Sequence, residues 1–285
     1  MIISASYRTD IPAYYGDWFM NRLRAGYAEA RNPYNGKPYR IDLTPAAVDA
    51  FVFWTRNPSP FSAAFNAVAH LGKPFVAQMT ITGYPRDLEP GVIDVAAAVA
   101  SFCWLVAEFG PRVAVWRYDP VLLTAVTPPR LHRDAVARLA DALAGVADEC
   151  VFSFSHIYAK SRRGLDRTGI SWRDPSDAAK RRLLAELATI VRERGIRPTL
   201  CAQPGLVSPP LTPARCIDGA RLAKLGAPTA ALKPKGARPG CLCAPSRDIG
   251  RYDACPQGCA YCYATSRRAA AVKTLRAHDP TAREI

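Results

Sequence analysis

The chain has 285 residues, of which 49% are hydrophobic and 22% are charged, and it carries a formal net charge of +14. A chain of this length and composition can bury a large core, which excludes a disordered or fibrous protein. No run of about 18 apolar residues is free of charge, and the N-terminus lacks the pattern of a signal peptide. We therefore expect a cytoplasmic protein with no membrane partner.

Short apolar runs alternate with longer helical patterns along the chain, and turn-forming residues at 31–38 indicate an exposed loop or hairpin. The basic segment 160–163 is interpreted as a loop. Strands are predicted at 2–6, 50–54, 75–81, 113–116, 150–155 and 197–202, with a further strand at 229–232. Helices are predicted at 16–25, 61–70, 93–109, 130–147, 175–194, 213–225 and 266–278.

This alternation predicts an α/β fold with a mainly parallel sheet and right-handed crossovers. A TIM-like (β/α) barrel of six to eight strands, full or partial, is favoured over a doubly wound sheet because polar residues follow one strand after another. Residues 1–235 would form the barrel core. Residues 236–285 would form a cysteine-rich segment and a terminal helix packed on the same domain.

Polar residues at the predicted strand ends are the candidate active-site residues, because loops at this end of a barrel build the site. Arg8 and Asp10, like Arg117 and Asp119, are two apart and face the same way. Each pair is either a plain ion pair or part of a pocket that binds carboxylate or phosphate. The full set is Arg8, Asp10, Arg56, Asn57, Gln78, Thr80, Arg117, Asp119, Ser155, His156 and Gln203.

His156 is the one histidine at a predicted strand end. It is interpreted either as an acid–base group or substrate donor, or as a structural residue. We expect His70, His132 and His278, which lie on helices or at helix ends, to be at the surface.

The basic charge lies in the C-terminal half. Residues 1–150 contain 14 basic and 14 acidic residues, whereas residues 151–285 contain 24 and 10. This asymmetry favours an anionic partner, which could be a small-molecule or nucleotide-like substrate or a nucleic acid. Because no nucleic-acid reader motif accompanies it, a solvated basic surface is the alternative.

Five of the nine cysteines lie within residues 241–262. Cys255, Cys259 and Cys262 have a three-then-two spacing that lets their thiolates converge on three corners of an iron–sulfur cube. Gly258 allows the backbone to fold tightly against such a group. A [4Fe-4S] cluster held by these three alone would keep one iron open. Structural zinc and a disulfide or incidental thiols are the alternatives.

Cys241 and Cys243 are separated by one residue and point the same way on an extended chain. We interpret them as metal ligands, either of the same cluster or of a second metal centre. A redox pair and a thiol hydrogen donor are the alternatives. The other four cysteines, Cys103, Cys150, Cys201 and Cys216, are interpreted as small buried hydrophobic residues.

The motif Cys255-x3-Cys259-x2-Cys262, with Tyr261 before its last cysteine, resembles the cluster motif of radical S-adenosylmethionine (SAM) enzymes. A wider pattern resembles the domain-of-unknown-function family eighteen-forty-eight over nearly the whole chain. That pattern consists of Met1-Ile-Ile-Ser-Ala-Ser6, Arg8-Thr-Asp-Ile-Pro12, Phe53-Trp54-Thr55, Asn57-Pro58, Trp116-Arg117-Tyr118-Asp119-Pro120, Cys241-x-Cys243, Asp248-Ile-Gly250 and Tyr261-Cys262-Tyr263-Ala264.

The radical SAM resemblance implies a [4Fe-4S] cluster on the three cysteines, reductive cleavage of SAM to a 5′-deoxyadenosyl radical, and a reductase or ferredoxin as electron donor. In that superfamily the cysteine loop follows the first strand. Its C-terminal position here implies a circularly permuted barrel if helix 266–278 packs beside the N-terminal strand. The alternative function is a non-catalytic redox or sensory iron–sulfur or zinc protein that binds nucleic acid.

The sequence lacks the Gly-Gly-Glu motif that often holds the SAM amino group. Asp10 or Asp119 is interpreted as its replacement, because a carboxylate there supplies charge-assisted hydrogen bonds. Tyr261 and Gln203 are further candidates for cofactor binding.

Overall fold

A computed structural model of the protein describes residues 1–236 and 238–285. The strands in these residues are β1 (Ile2–Ala5), β2 (Tyr27–Arg31), β3 (Pro38–Asp42), β4 (Ala50–Thr55), β5 (Phe75–Thr80), β6 (Ala114–Val121), β7 (Leu123–Thr124), β8 (Glu149–Phe154), β9 (Trp172–Arg173), β10 (Arg197–Leu200), β11 (Thr212–Pro213) and β12 (Ser246–Asp248). The helices are α1 (Ile11–Tyr14), α2 (Gly16–Ala25), α3 (Ser62–His70), α4 (Val95–Phe109), α5 (Pro129–Leu143), α6 (Ala159–Asp166), α7 (Asp177–Arg192), α8 (Gly219–Lys224) and α9 (Arg268–Arg276).

Eight strands form the central sheet in the order β12-β1-β4-β5-β6-β8-β10-β11, and each pair is parallel. From β1 to β11 the order follows the chain, whereas β12 returns from the C-terminal part to lie beside β1. The predicted α/β class and parallel sheet are confirmed. In the described ranges no pairing joins β11 to β12, so the sheet is not closed.

The strands are apolar on both faces because packed residues cover each face of the sheet. In β4, Phe51 and Phe53 point into a large core shared with the helices, while Ala50 and Val52 point to the opposite face. The aromatic side of this core centres on Phe53, whose ring lies 5.2 Å from that of Phe65.

The opposite face of the sheet buries a second core of mostly small side chains. Its residues come from five strands, β1, β4, β5, β6 and β8, and from positions next to β10, β11 and β12. One backbone hydrogen bond joins the two edges of the sheet on this side: Ala244 N–H donates to the Ile217 carbonyl at 2.8 Å. The second core consists of Ile2, Ala50, Val52, Val76, Val115, Val151, Cys201, Ala214, Cys216, Ile217, Leu222, Ala227 and Ala244.

Local signals set several element boundaries. Helix α7 begins where the Ser176 side chain accepts a hydrogen bond from the backbone N–H of Ala179. Helix α2 ends at Gly26, whose φ of 73° is the left-handed conformation that glycine adopts readily. The turn-rich segment 31–38 connects the antiparallel strands β2 and β3, so the hairpin alternative is confirmed.

Several local predictions are wrong. The basic segment 160–163 lies in helix α6, which buries Ser161, Gly164 and Leu165 and exposes its charged face. No strand forms at 229–232, where the side-chain hydroxyl of Thr229 instead donates to the Gly219 carbonyl. Helix α8 spans Gly219–Lys224, six residues, which is shorter than the predicted helix at 213–225. It begins after Asp218, whose side chain accepts a hydrogen bond from the backbone N–H of Ala220.

Helix α9 confirms the predicted terminal helix. The chain beyond it packs on α2: the Trp18 indole N–H donates to Ala282 O at 3.0 Å, and the His278 ring meets Tyr15 edge-on at 5.1 Å. It is β12, not α9, that pairs with the N-terminal strand. No helix within residues 1–236 and 238–285 is long and apolar enough to cross a bilayer.

His132 is fully buried, which corrects its predicted surface position. Its Nδ1 lies 3.0 Å from the Tyr118 hydroxyl and its Nε2 lies 3.0 Å from the Leu122 carbonyl. Burial lowers the pKa of His132 to about 4, although the hydrogen bond to Leu122 opposes this shift.

The buried imidazole makes stability fall as pH falls. Between the unfolded pKa near 6.5 and the folded pKa near 4, the unfolded chain binds a proton that the folded chain does not. We expect this group alone to reduce the free energy of unfolding by about 2 kcal/mol between pH 7 and pH 5. Denaturant unfolding of wild type and His132→Gln across this range measures it, because the variant lacks this contribution. Equal pH slopes in the two proteins would contradict the prediction.

Candidate functional site

The segment from Cys255 to Cys262, here called the cysteine loop, is held between two glycine-containing segments. The N–H of Gly91 donates to Gln257 O and the N–H of Ala260 donates to Leu88 O, both at 2.9 Å. A Cβ on Gly91 would collide with the Gln257 carbonyl, and one on Gly164 would collide with the Ala260 carbonyl. Both glycines are therefore required for the backbone of the loop to approach this closely.

Gly258 has a φ of 79°, as the sequence predicted for a tight turn between the first two cysteines. A Cβ there would also collide with the side chain of Arg268. Arg268 in turn donates through Nε to the Pro256 carbonyl at 3.1 Å, which ties α9 to the loop.

Backbone N–H groups surround two of the three loop sulfurs. Cys262 Sγ accepts from the N–H groups of Ala264 and Thr265, each at 3.3 Å. Cys255 accepts from the backbone of Gln257 and of Asp10. N–H donors of this kind stabilise thiolates and tune bound iron–sulfur groups.

Burial raises the pKa of the Cys255 thiol, and the nearby Asp10 adds to the shift. Burial also raises the pKa of Cys259 to about 12, although the Arg56 guanidinium opposes it. Such thiols ionise when a bound cation supplies compensating charge.

The three cysteines and the N–H groups around them are chemically suited to bind an iron–sulfur group through thiolates. Their side chains are not, however, already arranged as metal ligands. In the part of the chain that the structure describes, no three His, Cys, Asp or Glu side chains are placed together so that they could hold a metal ion. Two buried side-chain oxygens, Gln257 Oε1 in the loop and Thr265 Oγ1 just after it, also lack a hydrogen-bond partner.

A buried charge network lies beneath the loop. Arg56 Nη2 lies 3.0 Å from Glu89 Oε1, and the Thr82 hydroxyl lies 2.8 and 2.9 Å from the two Glu89 oxygens. The Tyr261 hydroxyl donates to Glu89 and accepts from Arg56. Charged partners that are fully hydrogen-bonded hold a fixed geometry, so this network fixes Tyr261 and with it the end of the loop.

Asp10 connects β1, β4 and the cysteine loop. Its carboxylate accepts from the backbone N–H groups of Ala13 and Arg56, at 3.1 and 2.9 Å, and from Gln257 Nε2 at 3.1 Å. Burial raises its pKa, and the Arg56 N–H opposes the shift. With three donors already bound, Asp10 is a positioning group for α1 and the loop.

Arg8 forms its ion pair with Asp248 of β12, Nε to Oδ1 at 3.7 Å, and not with Asp10. The buried Asp248 carboxylate also accepts from the hydroxyls of Ser4 and Ser6, at 2.8 and 2.7 Å, and from Gly250 N at 3.0 Å. This carboxylate joins β12 to β1 through side chains as well as through the backbone.

Arg117 and Asp119 do form the predicted ion pair. Arg117 is buried, with its guanidinium 3.1 Å from Gln78 Oε1 and 3.0 Å from Cys216 Sγ and over the Trp54 ring at 5.1 Å. The Asp119 side chain is 24% exposed, so this carboxylate is open to solvent on one side.

His156 is exposed, with Nε2 lying 3.3 Å from Gln203 Nε2. The Gln203 side chain is hydrogen-bonded mainly to the backbone, since its Oε1 accepts from Phe154 N at 2.8 Å. Aromatic rings lead from His156 to the cysteine loop: Tyr158 lies 5.9 Å from His156 and 6.1 Å from Tyr263.

Asp10 and Arg56 therefore lie against the cysteine loop, which itself contains Tyr261. Arg117 and Asp119 lie on β6, whereas His156 and Gln203 follow β8 and β10. The sequence analysis did not single out Glu89 or Asp248 as site residues. Glu89 lies in a Pro-flanked turn with no motif. The pairing of Asp248 with β1 joins residues more than 240 apart, and a local pattern carries no signal for such a contact.

The fold and this site define a class: a parallel α/β protein with a cysteine-rich loop at the carboxyl end of its first strand. The chain matches the family model described as Domain of unknown function (DUF1848) over residues 2–264. It therefore belongs to the DUF1848 family, as the sequence pattern predicted. No curated protein matches the chain.

Replacing Gly164 with Ala tests the packing of the loop. Ala normally stabilises a helix relative to Gly by about 1 kcal/mol, but here its methyl group meets the Ala260 carbonyl. We expect a loss of about 1–3 kcal/mol in the free energy of unfolding. Alkylation of the loop thiols should also become faster.

Gly205→Ala is the matched control, because Gly205 is exposed and a Cβ there meets nothing within 4 Å. If Gly164→Ala were as stable as this control, and its thiols no more reactive, the close packing of α6 on the loop would be refuted.

Proposed function

We propose that this chain is an iron–sulfur enzyme of the radical SAM type, with a [4Fe-4S] cluster held by Cys255, Cys259 and Cys262. The observation that carries the proposal is the position of the cysteine loop. It follows β12 in the chain, yet it contacts Asp10, which follows β1. In radical SAM enzymes the cysteine loop also follows the first strand, so a permuted chain order would preserve its spatial position.

The fold supports a partial (β/α) barrel as part of this proposal. The strand order from β12 to β11 is the order of a barrel opened between its last two strands. The second core draws side chains from both edges of the sheet, and the Ala244–Ile217 hydrogen bond spans the opening. A flat sheet would keep its edges apart, so these contacts favour strong curvature.

When bound, the cluster supplies an open iron that chelates SAM and the electron that cleaves it. The protein would supply the N–H donors on Cys255 and Cys262, and Tyr261 held by Arg56 and Glu89. Cys255, Cys259 and Cys262 are half-buried, so the surrounding chain shields them from water only in part. A cytoplasmic location and a reductase or ferredoxin electron donor complete the proposal.

Asp119 is the better candidate for the SAM ammonium group than Asp10. The Asp10 carboxylate already accepts three N–H groups, whereas Asp119 is partly exposed beside Arg117. An anionic substrate would be drawn to the basic side chains nearby, of which Arg238 and Lys160 lie beside Tyr158 and Tyr252.

Cys259→Ser should abolish 5′-deoxyadenosine formation while the fold is retained, because serine is a poor ligand for iron of this kind. The test is anaerobic purification, quantification of iron, sulfide and zinc, and titration of the reduced protein with SAM while its paramagnetic spectrum is recorded. Cys103→Ser, on helix α4, is the matched control and should keep iron, sulfide and activity.

A variant with full activity would show that the mechanism is wrong. A cluster that does not respond to SAM would favour the redox or sensory function. Stoichiometric zinc without sulfide would exclude a cluster on this loop.

Asp119→Asn should weaken SAM binding by about tenfold, since loss of a charge-assisted hydrogen bond costs about 1.5–3 kcal/mol. Asp10→Asn should mainly lower the free energy of unfolding. SAM titration and denaturant unfolding of both variants separate these effects. An unchanged affinity in Asp119→Asn would remove this residue from the SAM site.

A further inference from the structure

Four cysteines from three parts of the chain lie close together, and three of them, Cys201, Cys216 and Cys243, lie in or against the second core. Cys216 Sγ lies 3.3 Å from Cys201 Sγ. Cys216 also makes a side-chain hydrogen bond with Cys243, which makes another with Cys241. The four thiols thus form a continuous chain of contacts, whereas the sequence analysis assigned Cys201 and Cys216 to the core only.

The backbone around these thiols is built for close approach. The N–H of Ile217 donates to Cys243 Sγ at 3.3 Å. A Cβ on Gly236 would collide with Cys241, and Gly240 has a φ of 75°. Gly236 and Gly240 therefore allow the backbone just before Cys241 to pack closely.

Two guanidinium groups flank the thiols. Arg117 Nη1 lies 3.0 Å from Cys216 Sγ, and Arg238 Nη2 lies 3.6 Å from Cys201 Sγ. Arg117 is buried and also pairs with Asp119, whereas Arg238 is half-buried. Positive charge this close to a thiol favours its thiolate form. Four thiolates around a divalent ion carry a net charge of −2, and the two neighbouring guanidinium groups would offset part of it.

We propose that Cys201, Cys216, Cys241 and Cys243 form a tetrathiolate site for a single soft divalent metal ion, with Zn²⁺ as the expected ion. This site is separate from the cysteine loop and does not depend on the function proposed for that loop. Its ligands come from both edges of the open sheet, so the metal would clamp β10 and β11 to the segment that leads into β12.

Sulfur spacing favours one ion over a cluster. A tetrahedral zinc site with Zn–S bonds of about 2.3 Å places its sulfurs about 3.8 Å apart. The Cys201–Cys216 separation of 3.3 Å is close to this value. In a [4Fe-4S] cluster each thiolate binds a different iron, so its sulfurs lie farther apart and are not in contact.

In the described residues the thiols form a chain and not a tetrahedron, and no three of them are arranged as a ready metal site. This arrangement suits protonated thiols, which bond to one another through S–H groups. The hydrogen bond with Cys216, and then burial, raise the pKa of Cys201. Metal binding requires loss of these protons and movement of the four sulfurs to a common centre.

The experiment uses the full chain, purified anaerobically, with zinc, iron and sulfide quantified for wild type and for the double variant Cys201→Ser/Cys216→Ser. We expect one zinc per chain in wild type and a loss of about tenfold or more in the double variant. The iron and sulfide of the cysteine loop should be unchanged. Cys150→Ser, also buried but outside the group of four, is the matched control.

Titration of metal-free wild type with Co²⁺ provides a second readout that does not need the double variant to fold. A tetrahedral tetrathiolate site gives intense sulfur-to-cobalt charge-transfer and d–d absorption at one equivalent, and Zn²⁺ should abolish it. Single variants Cys241→Ser and Cys243→Ser should each weaken it.

The proposal is overturned if Co²⁺ gives no thiolate absorption, or if Cys255→Ser removes that absorption while the double variant keeps it. Loss of iron and sulfide, and not zinc, in the double variant would show a cluster here and refute a single ion. Because zinc is counted separately from iron and sulfide, failure of this proposal is distinguishable from failure of the radical SAM proposal.

Discussion

The pairing of β12 with β1 brings the C-terminal cysteine loop against residues that follow the N-terminal strand. Three residue pairs, from Ile2 with Ser246 to Ser4 with Asp248, form this parallel contact. So short a ladder depends on side chains, and the buried Asp248 carboxylate binds Ser4, Ser6 and Arg8 across it. An unpaired buried carboxylate is strongly unfavourable, so these partners make the arrangement of strand β12 specific. The cysteine loop begins seven residues after Asp248, and its position follows from this contact.

A second group of buried charged residues fixes the position of the cysteine loop relative to the strands. Arg56 directly follows β4, Glu89 lies in the loop between β5 and α4, and each is hydrogen-bonded to Tyr261. Removing one partner of such a pair commonly costs about 3–5 kcal/mol, although the pair itself adds little net stability. Its importance therefore lies in geometry. It holds the last turn of the cysteine loop against the carboxyl ends of the strands, where Asp10 holds the first turn.

The sequence predicted those parts of the fold that local patterns encode. The apolar runs of β1, β4 and β5 and the helical spacing of α2, α3 and α9 lie within one or two residues of their observed bounds. Strand β12 has three residues and includes an exposed Arg247, so no periodicity marks it. The burial of His132 and the meeting of Cys201 with Cys216 depend on tertiary contacts. A cysteine in an apolar run has the same local pattern whether it packs against leucine or against another thiol.

The sheet is open between β11 and β12, and several of the contacts described above lie at this opening. Strand β11 has two residues and ends in Pro213, which lacks a backbone N–H, so it cannot continue a hydrogen-bonded ladder to a further strand. On the side of the second core, the two edges are instead joined by one backbone bond, from Ala244 to Ile217, and by the four thiols next to it. Both joins involve the segment between Ile217 and Ala244, which carries two of the thiols. In the described residues, one backbone hydrogen bond and a set of side-chain contacts thus join the two edges where no strand ladder does.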